Sequence, residues 1–264
     1  MGTIEYRRPI LFSTTPIELD EVPCLTGCNS CKSWFTQHVV PESEALDLYR
    51  SGDSNAKWPR QIPFIEEKSA NIVSRLNQYF LEGSRVLDVG CNTGSLLDFA
   101  RLKGCLTHGV EPSISSQSIL TEKGHVVFSS TDAIEGKFDV ITAFDLVEHL
   151  YDLSGFITRM HGLLTKGGVL ILLTGDIASR SARLAKQNWW YLKAPEHIVF
   201  PSQSYLKNFE GYQLLTVDQT YASRGYKKPY MFSVAQLVRK TVLGSYDGLP
   251  PLGPDHMLVV LAMS

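Results

Sequence analysis

Long apolar runs are missing from this sequence. The longest, such as Met257 to Met263, fall far short of the roughly 20 residues that cross a bilayer, so no membrane span is expected. An excess of either charge is missing too: 25 Lys and Arg stand against 27 Asp and Glu, a net charge of −2, which argues against a basic nucleic-acid footprint. Met1 to Pro9 carries Glu5, Arg7 and Arg8 without an apolar stretch, so no secretory signal is expected. Cysteine is sparse and odd in number, at five. Cys91 and Cys105 sit inside patterned segments and read as buried small hydrophobes, and a reducing cytoplasm is the expected setting.

What is present is ordinary globular composition. The chain has 264 residues, 44% hydrophobic and 20% charged, enough for a sizeable core and one large domain with a small appendage. Residues 1 to about 60 are broken by Pro9, Pro16, Pro23, Pro41 and Pro59 and read as an irregular N-terminal segment. From Pro63 the texture changes. Phe64, Ile65, Ile72, Val73, Leu76, Tyr79 and Phe80 make a helical stripe, and short apolar strands then alternate with helices. Strands are expected at Arg85–Val89, His108–Glu111, Val126–Phe128, Phe138–Phe144 and Val169–Thr174, with helices from Leu96, over Ile114–Lys123 and over Leu153–Leu164. Such alternation predicts a doubly wound α/β domain over residues 61–264 with a mostly parallel sheet. Tyr212–Thr220 and Met257–Met263 complete seven strands, the last antiparallel, with a helix over Ser233–Leu243 and a Pro/Gly loop at Gly248–Pro254 between them.

Asp88-Val-Gly90-Cys-Asn-Thr-Gly94 lies where the first of these strands turns into a helix. Glycines there admit close approach of a ligand, and the helix start offers free N–H donors. Glu111 follows Gly94 by 17 positions, at the end of the next strand, where a carboxylate can take both hydroxyls of a ribose. The dinucleotide fingerprint G-x-G-x-x-G does not fit, since three residues separate Gly90 from Gly94. Val86-Leu-Asp-Val-Gly-Cys-Asn-Thr-Gly94 resembles instead motif I of the class I S-adenosylmethionine-dependent methyltransferases, with Asn92 where that family usually has glycine. Gly109-Val-Glu111-Pro112, Phe138-Asp139-Val-Ile141 and Leu163-Leu-Thr-Lys-Gly-Gly168 resemble their later motifs. The resemblance implies a Rossmann-like fold and S-adenosyl-L-methionine as cofactor. It places Asp88 and Gly90 at the methionine end, with Gly94 closing the same turn, Glu111 on the ribose and Phe144 beside the cofactor. It also puts Asp132 on the adenine amine, although Asp132 reads equally as a solvated loop acid.

Methyl transfer is a displacement at a carbon the cofactor has already activated, so the protein orients the acceptor and removes its proton where it has one. Two Glu-His pairs lie beyond strand ends. Glu148-His149, in Phe144-Asp-Leu-Val-Glu-His-Leu150, is expected to shape the cofactor lid, with Asp145 or Glu148 capping the next helix. Glu196-His197, in Asn188-Trp-Trp-Tyr-Leu-Lys-Ala-Pro-Glu-His-Ile-Val-Phe200, resembles the acceptor region of sugar methyltransferases. That resemblance makes His197 the general base and Glu196 its partner; a structural histidine tied to backbone is the other reading. Trp189, Trp190 and Tyr191 form either a sugar-stacking wall or a packed aromatic cap. Arg180, Arg183 and Lys186 share a face if residues 177–187 are helical, either for a nucleotide-sugar diphosphate or simply solvated.

The expected acceptor is therefore a small molecule, most often a sugar, nucleotide sugar or glycan terminus. A quinone- or phenol-directed O-methyltransferase and a non-catalytic cofactor-binding scaffold are the alternatives. Cys24-Leu-Thr-Gly-Cys28-Asn-Ser-Cys31, followed by His38, resembles the second half of a zinc ribbon. The first half needs a Cys pair upstream and residues 1–23 hold none, so no metal is expected. Its spacing also matches the iron–sulfur motif of radical enzymes, but those continue into a partial barrel. Metal analysis of the purified chain should return well under one zinc per chain; stoichiometric zinc that is lost in Cys28→Ser would show an intact site.

Overall fold

The computed structural model describes residues 3–5, 11–12, 15–51, 72–221 and 253–264. Its N-terminal part holds strands β1 (Thr3–Glu5), β2 (Leu11–Phe12), β3 (Thr15–Pro16), β4 (Cys24–Gly27) and β5 (Trp34–Gln37), then helix α1 (Glu42–Ser51). Its elements are short, in keeping with its prolines. The expected helix over residues 233–243, most of the Pro/Gly loop after it, and Phe64 and Ile65 lie outside the described residues. Residues 72–76 are helical, and Ile72, Val73 and Leu76 are buried as the stripe requires.

The central layer follows as β6 (Arg85–Val89), α2 (Ser95–Leu102), β7 (Leu106–Val110), α3 (Ile114–Glu122), β8 (Val126–Phe128), β9 (Phe138–Phe144), α4 (Leu153–Leu163) and β10 (Leu164–Gly175). Then come α5 (Arg180–Ala185), β11 (Val199–Phe200), α6 (Gln203–Lys207), β12 (Tyr212–Thr220) and β13 (His256–Met263). Seven strands pair in the order β12-β13-β10-β9-β6-β7-β8. The five strands from β6 to β10 are mutually parallel, and β13 slots antiparallel between β10 and β12. This is the Rossmann-like, doubly wound sheet that the alternation predicts.

Both faces are apolar because both are covered. Along β10, Leu170 and Leu172 join one core with Ile157 and Met160 of α4, while Val169, Ile171 and Leu173 join the other with Leu97 and Ala100 of α2. Side chains alternate across a pleat, so a continuous apolar run fills both cores. Among the described residues no helix is long and apolar enough to cross a membrane.

A second sheet, β1-β4-β5-β11, joins the N-terminal segment to the chain after β10. β5 pairs antiparallel with β11, the Thr36 N–H donates to the Ile198 carbonyl at 2.8 Å, and Leu25 packs with Trp189, Tyr191 and Phe200. The N-terminal segment is thereby fastened over the carboxyl ends of β9 and β10, the edge where ligands bind in open α/β sheets.

Gly175 closes β10 against this packing. A Cβ there would lie 2.3 Å from Cδ1 of Tyr191, whose ring is buried and cannot retreat. Gly175→Ala is therefore expected to destabilise the fold by about 1–3 kcal/mol in urea unfolding, the usual cost of overpacking; an unchanged midpoint would show that the rim is loosely packed.

Candidate active site

The turn after β6 is built for a ligand. Gly90 and Gly94 have φ of +74° and +82°, and Asn92 has φ +49°. Asparagine is among the few side chains that accept this left-handed region, which is how the turn dispenses with a third glycine. A Cβ on Gly94 would sit 2.6 Å from Leu120, and one on Gly90 would sit 3.2 Å from Leu146. Both N–H groups at 90 and 91 bond to the Val110 carbonyl, at 2.8 and 3.2 Å, which ties the turn to the end of β7.

Glu111 is buried one residue beyond β7. Its Oε2 accepts from the Asn92 N–H and its Oε1 from the Ser113 N–H, each at 2.9 Å. Each oxygen keeps a further lone pair, enough for the two hydroxyls of a ribose. Burial raises its pKa, and the two backbone donors offset part of that rise. Asp88, buried on β6, accepts from the Thr142 hydroxyl of the neighbouring β9 at 2.6 Å. Burial, assisted by the charge of Glu111, pushes Asp88 up to about 7. The set fits the cofactor implied by the sequence: a positive-φ turn, a buried carboxyl with acceptor capacity to spare and a second buried acid converge there. Phe144 ends β9, half-buried against the α2-side core. Asp132 is exposed in a 3-10 turn past β8, one strand over from Glu111.

A second group of polar residues gathers at the ends of β9, β10 and β13. Glu148 is 0% exposed; its Oε1 accepts from the Tyr191 hydroxyl, its Oε2 from the Thr174 hydroxyl at 2.9 Å, and its carbonyl from the Ile198 N–H at 2.7 Å. His197 is 4% exposed, and its Nδ1 lies 2.6 Å from the carbonyl oxygen of Tyr191. A carbonyl only accepts, so Nδ1 carries the proton and Nε2 is bare. His149 is fixed the same way by the Glu196 carbonyl at 2.8 Å, with the Tyr49 hydroxyl 2.9 Å from the same nitrogen. The two imidazoles meet edge to face at 4.7 Å. Burial first, and the neighbouring His149 next, hold His197 well below the usual histidine range.

The structure revises several expectations. Helix α4 is capped by Asp152, which accepts from the Gly155 N–H, so Asp145 and Glu148 are left for other partners. Asp145, at φ +50°, places Oδ1 3.1 Å from the Tyr191 hydroxyl oxygen, whose one proton goes to the nearer Glu148. Glu196 contributes its carbonyl to His149, while the group that orients His197 is the carbonyl of Tyr191. Trp189 is fully buried, and its N–H donates to Asp255; it belongs to the packed cap and cannot wall a sugar site. Helix α5 ends at Ala185, and Lys186 turns out of it at φ +49°, so Arg180, Arg183 and Lys186 do not share one continuous helical face. Cys24 donates to Gln37 at 3.2 Å and His38 faces Glu21 at 3.3 Å, so two members of the thiol cluster have protein partners. Cys28 is held below the usual thiol range by the Cys31 backbone N–H.

Sequence reasoning passed over Tyr49, Thr174, Asp255 and His256, whose partners lie 26 to 100 positions away or open a strand that reads as plain core. Among the described residues, Glu148, His149 and His197 bring three potential ligand atoms within 4.8 Å of one another. Such a set can hold a divalent cation. Here both Glu148 oxygens already accept hydroxyl hydrogen bonds, which suits a closed hydrogen-bonded network equally well.

The model of the family described as "Methyltransferase domain" matches residues 62–217. A ubiquinone biosynthesis O-methyltransferase from Rhodopseudomonas palustris (strain TIE-1) is 28% identical over 139 residues, 48% of this chain and 54% of that protein. A protein of the same name from Bradyrhizobium sp. (strain ORS 278) is 35% identical over 116 residues, 40% and 45% of the two chains. The chain thus spans about half the length of these relatives. Among solved structures, the magnesium protoporphyrin IX methyltransferase of Synechocystis PCC 6803 with bound S-adenosylmethionine superposes with a TM-score of 0.56 at 14% identity, covering 86% of this chain and all of that one. A possible histamine N-methyltransferase of Thermotoga maritima gives 0.52 at 18%, covering 82% and 97%.

Two substitutions test the cofactor turn. Glu111→Ala leaves two backbone N–H groups and any ribose hydroxyls without an acceptor, so S-adenosylmethionine affinity should fall by about 1–3 kcal/mol in calorimetry; unchanged affinity would remove the ribose assignment. Asp88 keeps a proton in the folded state at pH values where the unfolded chain has lost it, so its contribution weakens stability as pH rises from about 4 toward 7. Asp88→Asn should accordingly stabilise the ligand-free protein by about 2–4 kcal/mol at pH 8 and by little at pH 4, read from urea unfolding.

Proposed function

Because this chain belongs to the methyltransferase-domain family, as an S-adenosylmethionine-dependent enzyme of the class I fold, we propose that it methylates an acidic hydroxyl, phenolic or quinol-type, on a small acceptor. When bound, the cofactor supplies a methyl group on a sulfonium, and the reaction is an in-line displacement. In this proposal Asp88, Gly90 and Gly94 hold the methionine end, Glu111 the ribose and Asp132 the adenine amine, with Phe144 at the inner edge. Asp145 and Leu146 then border both the cofactor turn and the acceptor, since Leu146 abuts Gly90.

The observation that carries the acceptor class is the state of His197. It is buried, its proton is pinned on Nδ1 by the Tyr191 carbonyl, and Nε2 is a bare acceptor. Its pKa sits well below the ordinary value, so it is neutral at pH 7 but a weak base. Proton transfer to a weak base is practicable from a phenol, with a pKa near 10, and far more uphill from an aliphatic sugar hydroxyl. The printed names of the O-methyltransferase relatives point the same way. A sugar acceptor loses its main structural support with Trp189, which is packed away. In the proposal His197 takes the acceptor's proton, and Glu196 acts through the carbonyl that sets His149 edge-on against it.

His197→Gln should lower kcat for methylation of hydroquinone by about 10²–10⁴-fold, the usual contribution of a positioned base, with S-adenosylmethionine affinity nearly unchanged. Since the folded-state pKa is depressed, the wild-type rate should stay flat as pH falls through 6.5 and drop only in more acid solution. Full activity in His197→Gln together with loss in His149→Gln would transfer the role to His149.

A further inference from the structure

His256 opens β13 and is 0% exposed. Because β13 runs antiparallel to β10, its first residue lies beside Gly175 at the carboxyl end of β10, level with the rim. Its Nδ1 is 2.9 Å from Oδ1 of Asp255, a pairing that fixes the orientation of the ring. Asp255 is itself held rigid: its Oδ2 accepts from the indole N–H groups of Trp189 and Trp190, at 3.2 and 2.6 Å. Trp190 also stacks on the imidazole, with centroids 5.8 Å apart.

Nε2 has no hydrogen-bond partner among the described residues. It faces Oδ1 of Asp145 at 3.8 Å, too far for a hydrogen bond. A buried polar nitrogen left this way is costly, and here the surroundings are built to hold it in place. Asp145 adjoins Leu146, the side chain that Gly90 closes upon, so the gap borders the cofactor turn. The Tyr191 ring lies 4.5 Å from the His256 ring and 4.4 Å from that of His197, so one tyrosine packs on both imidazoles.

We propose that this gap is a hydroxyl-binding subsite for the acceptor, in which Nε2 of His256 forms a hydrogen bond with a neutral hydroxyl held beside Asp145. The inference rests on the reading that the acceptor lies at this rim. Asp145, Asp176, Asp255 and Glu148 all bring carboxylates to the neighbourhood, so a neutral donor is admitted and an anionic group is repelled. His256 positions the acceptor here and is not asked to take the reacting proton.

The test uses the full chain saturated with S-adenosylhomocysteine and titrated calorimetrically with hydroquinone, with glucose, and with 1,4-dimethoxybenzene, which has the ring but no donor. His256→Leu should weaken hydroquinone binding roughly 3- to 10-fold, the worth of one hydrogen bond, and leave 1,4-dimethoxybenzene and S-adenosylhomocysteine unaffected. His256→Gln, whose amide can hydrogen-bond a hydroxyl from a similar position, should restore most of the loss. Independently of any variant, the imidazole Nε2 resonance of His256 in ¹⁵N-histidine-labelled protein should move on adding hydroquinone and not on adding 1,4-dimethoxybenzene. Glucose binding that depends on His256, without methyl transfer to hydroquinone, would retire the phenolic reading and keep the subsite. Transfer to hydroquinone with kcat and KM indifferent to His256→Leu, or no hydroxylated probe perturbing Nε2, would overturn the subsite.

Discussion

The buried carboxylate of Glu148 is the constraint on which the rim depends. A carboxylate with no exposure is tolerated only when its oxygens find donors, and these come from Thr174 at the end of β10 and Tyr191 beyond it. Its carbonyl accepts from Ile198, at the start of the stretch that pairs as β11 with β5. One residue thereby joins the exit of β9, the end of β10, the segment after it and the N-terminal sheet. Removing either donor would leave a buried carboxyl oxygen without its partner, so these four pieces of chain are held in one arrangement.

From that anchor the chemistry of the rim follows. Tyr191, placed by Glu148 and Asp145, offers its carbonyl to His197 and its ring face to His256. Three imidazoles, His149, His197 and His256, are each oriented through Nδ1 by an oxygen, and His197, held well below the usual histidine range, leaves Nε2 bare. Buried bare nitrogens and shifted acids concentrate where a site must act on a ligand, and they cost stability elsewhere in a fold. A few residues away, the turn after β6 and Glu111 present their own acceptors and donors. The two halves meet at Asp145 and Leu146, directly after the central strand β9.

The sheet was legible because its physics is local. A doubly covered parallel strand must be apolar throughout, as Val169–Leu173 is, and a strand turning to a helix through Gly90 and Gly94 announces a ligand turn. The position of Glu111 at the end of the next strand, beside the turn, was legible from the strand pattern. Asn92 was legible as a substitute for glycine because few other side chains take φ +49°. The rim was only half legible. His197 stood out as part of one of two Glu-His pairs beyond strand ends, but its orienting group is the Tyr191 backbone carbonyl rather than Glu196, which sequence does not advertise. Trp189 reads as either a ligand wall or a packed cap, and only its burial and its bond to Asp255, 66 positions away, decide for the cap. Asp255-His256 was hidden for the same reason: β13 reads as an apolar strand, and only its insertion between β10 and β12 brings its first residue to the rim.

The central claim is that a methyl group carried by S-adenosylmethionine passes at this rim to a hydroxyl oxygen. Incubation of the full chain with S-adenosylmethionine labelled in its methyl group and with hydroquinone, followed by mass spectrometry of the product, tests it most directly. The account predicts the label on oxygen, as 4-methoxyphenol, and none on 1,4-dimethoxybenzene offered as the sole acceptor. Calorimetric binding of the cofactor with no label in any hydroxylated acceptor, or label on ring carbon instead, would contradict it.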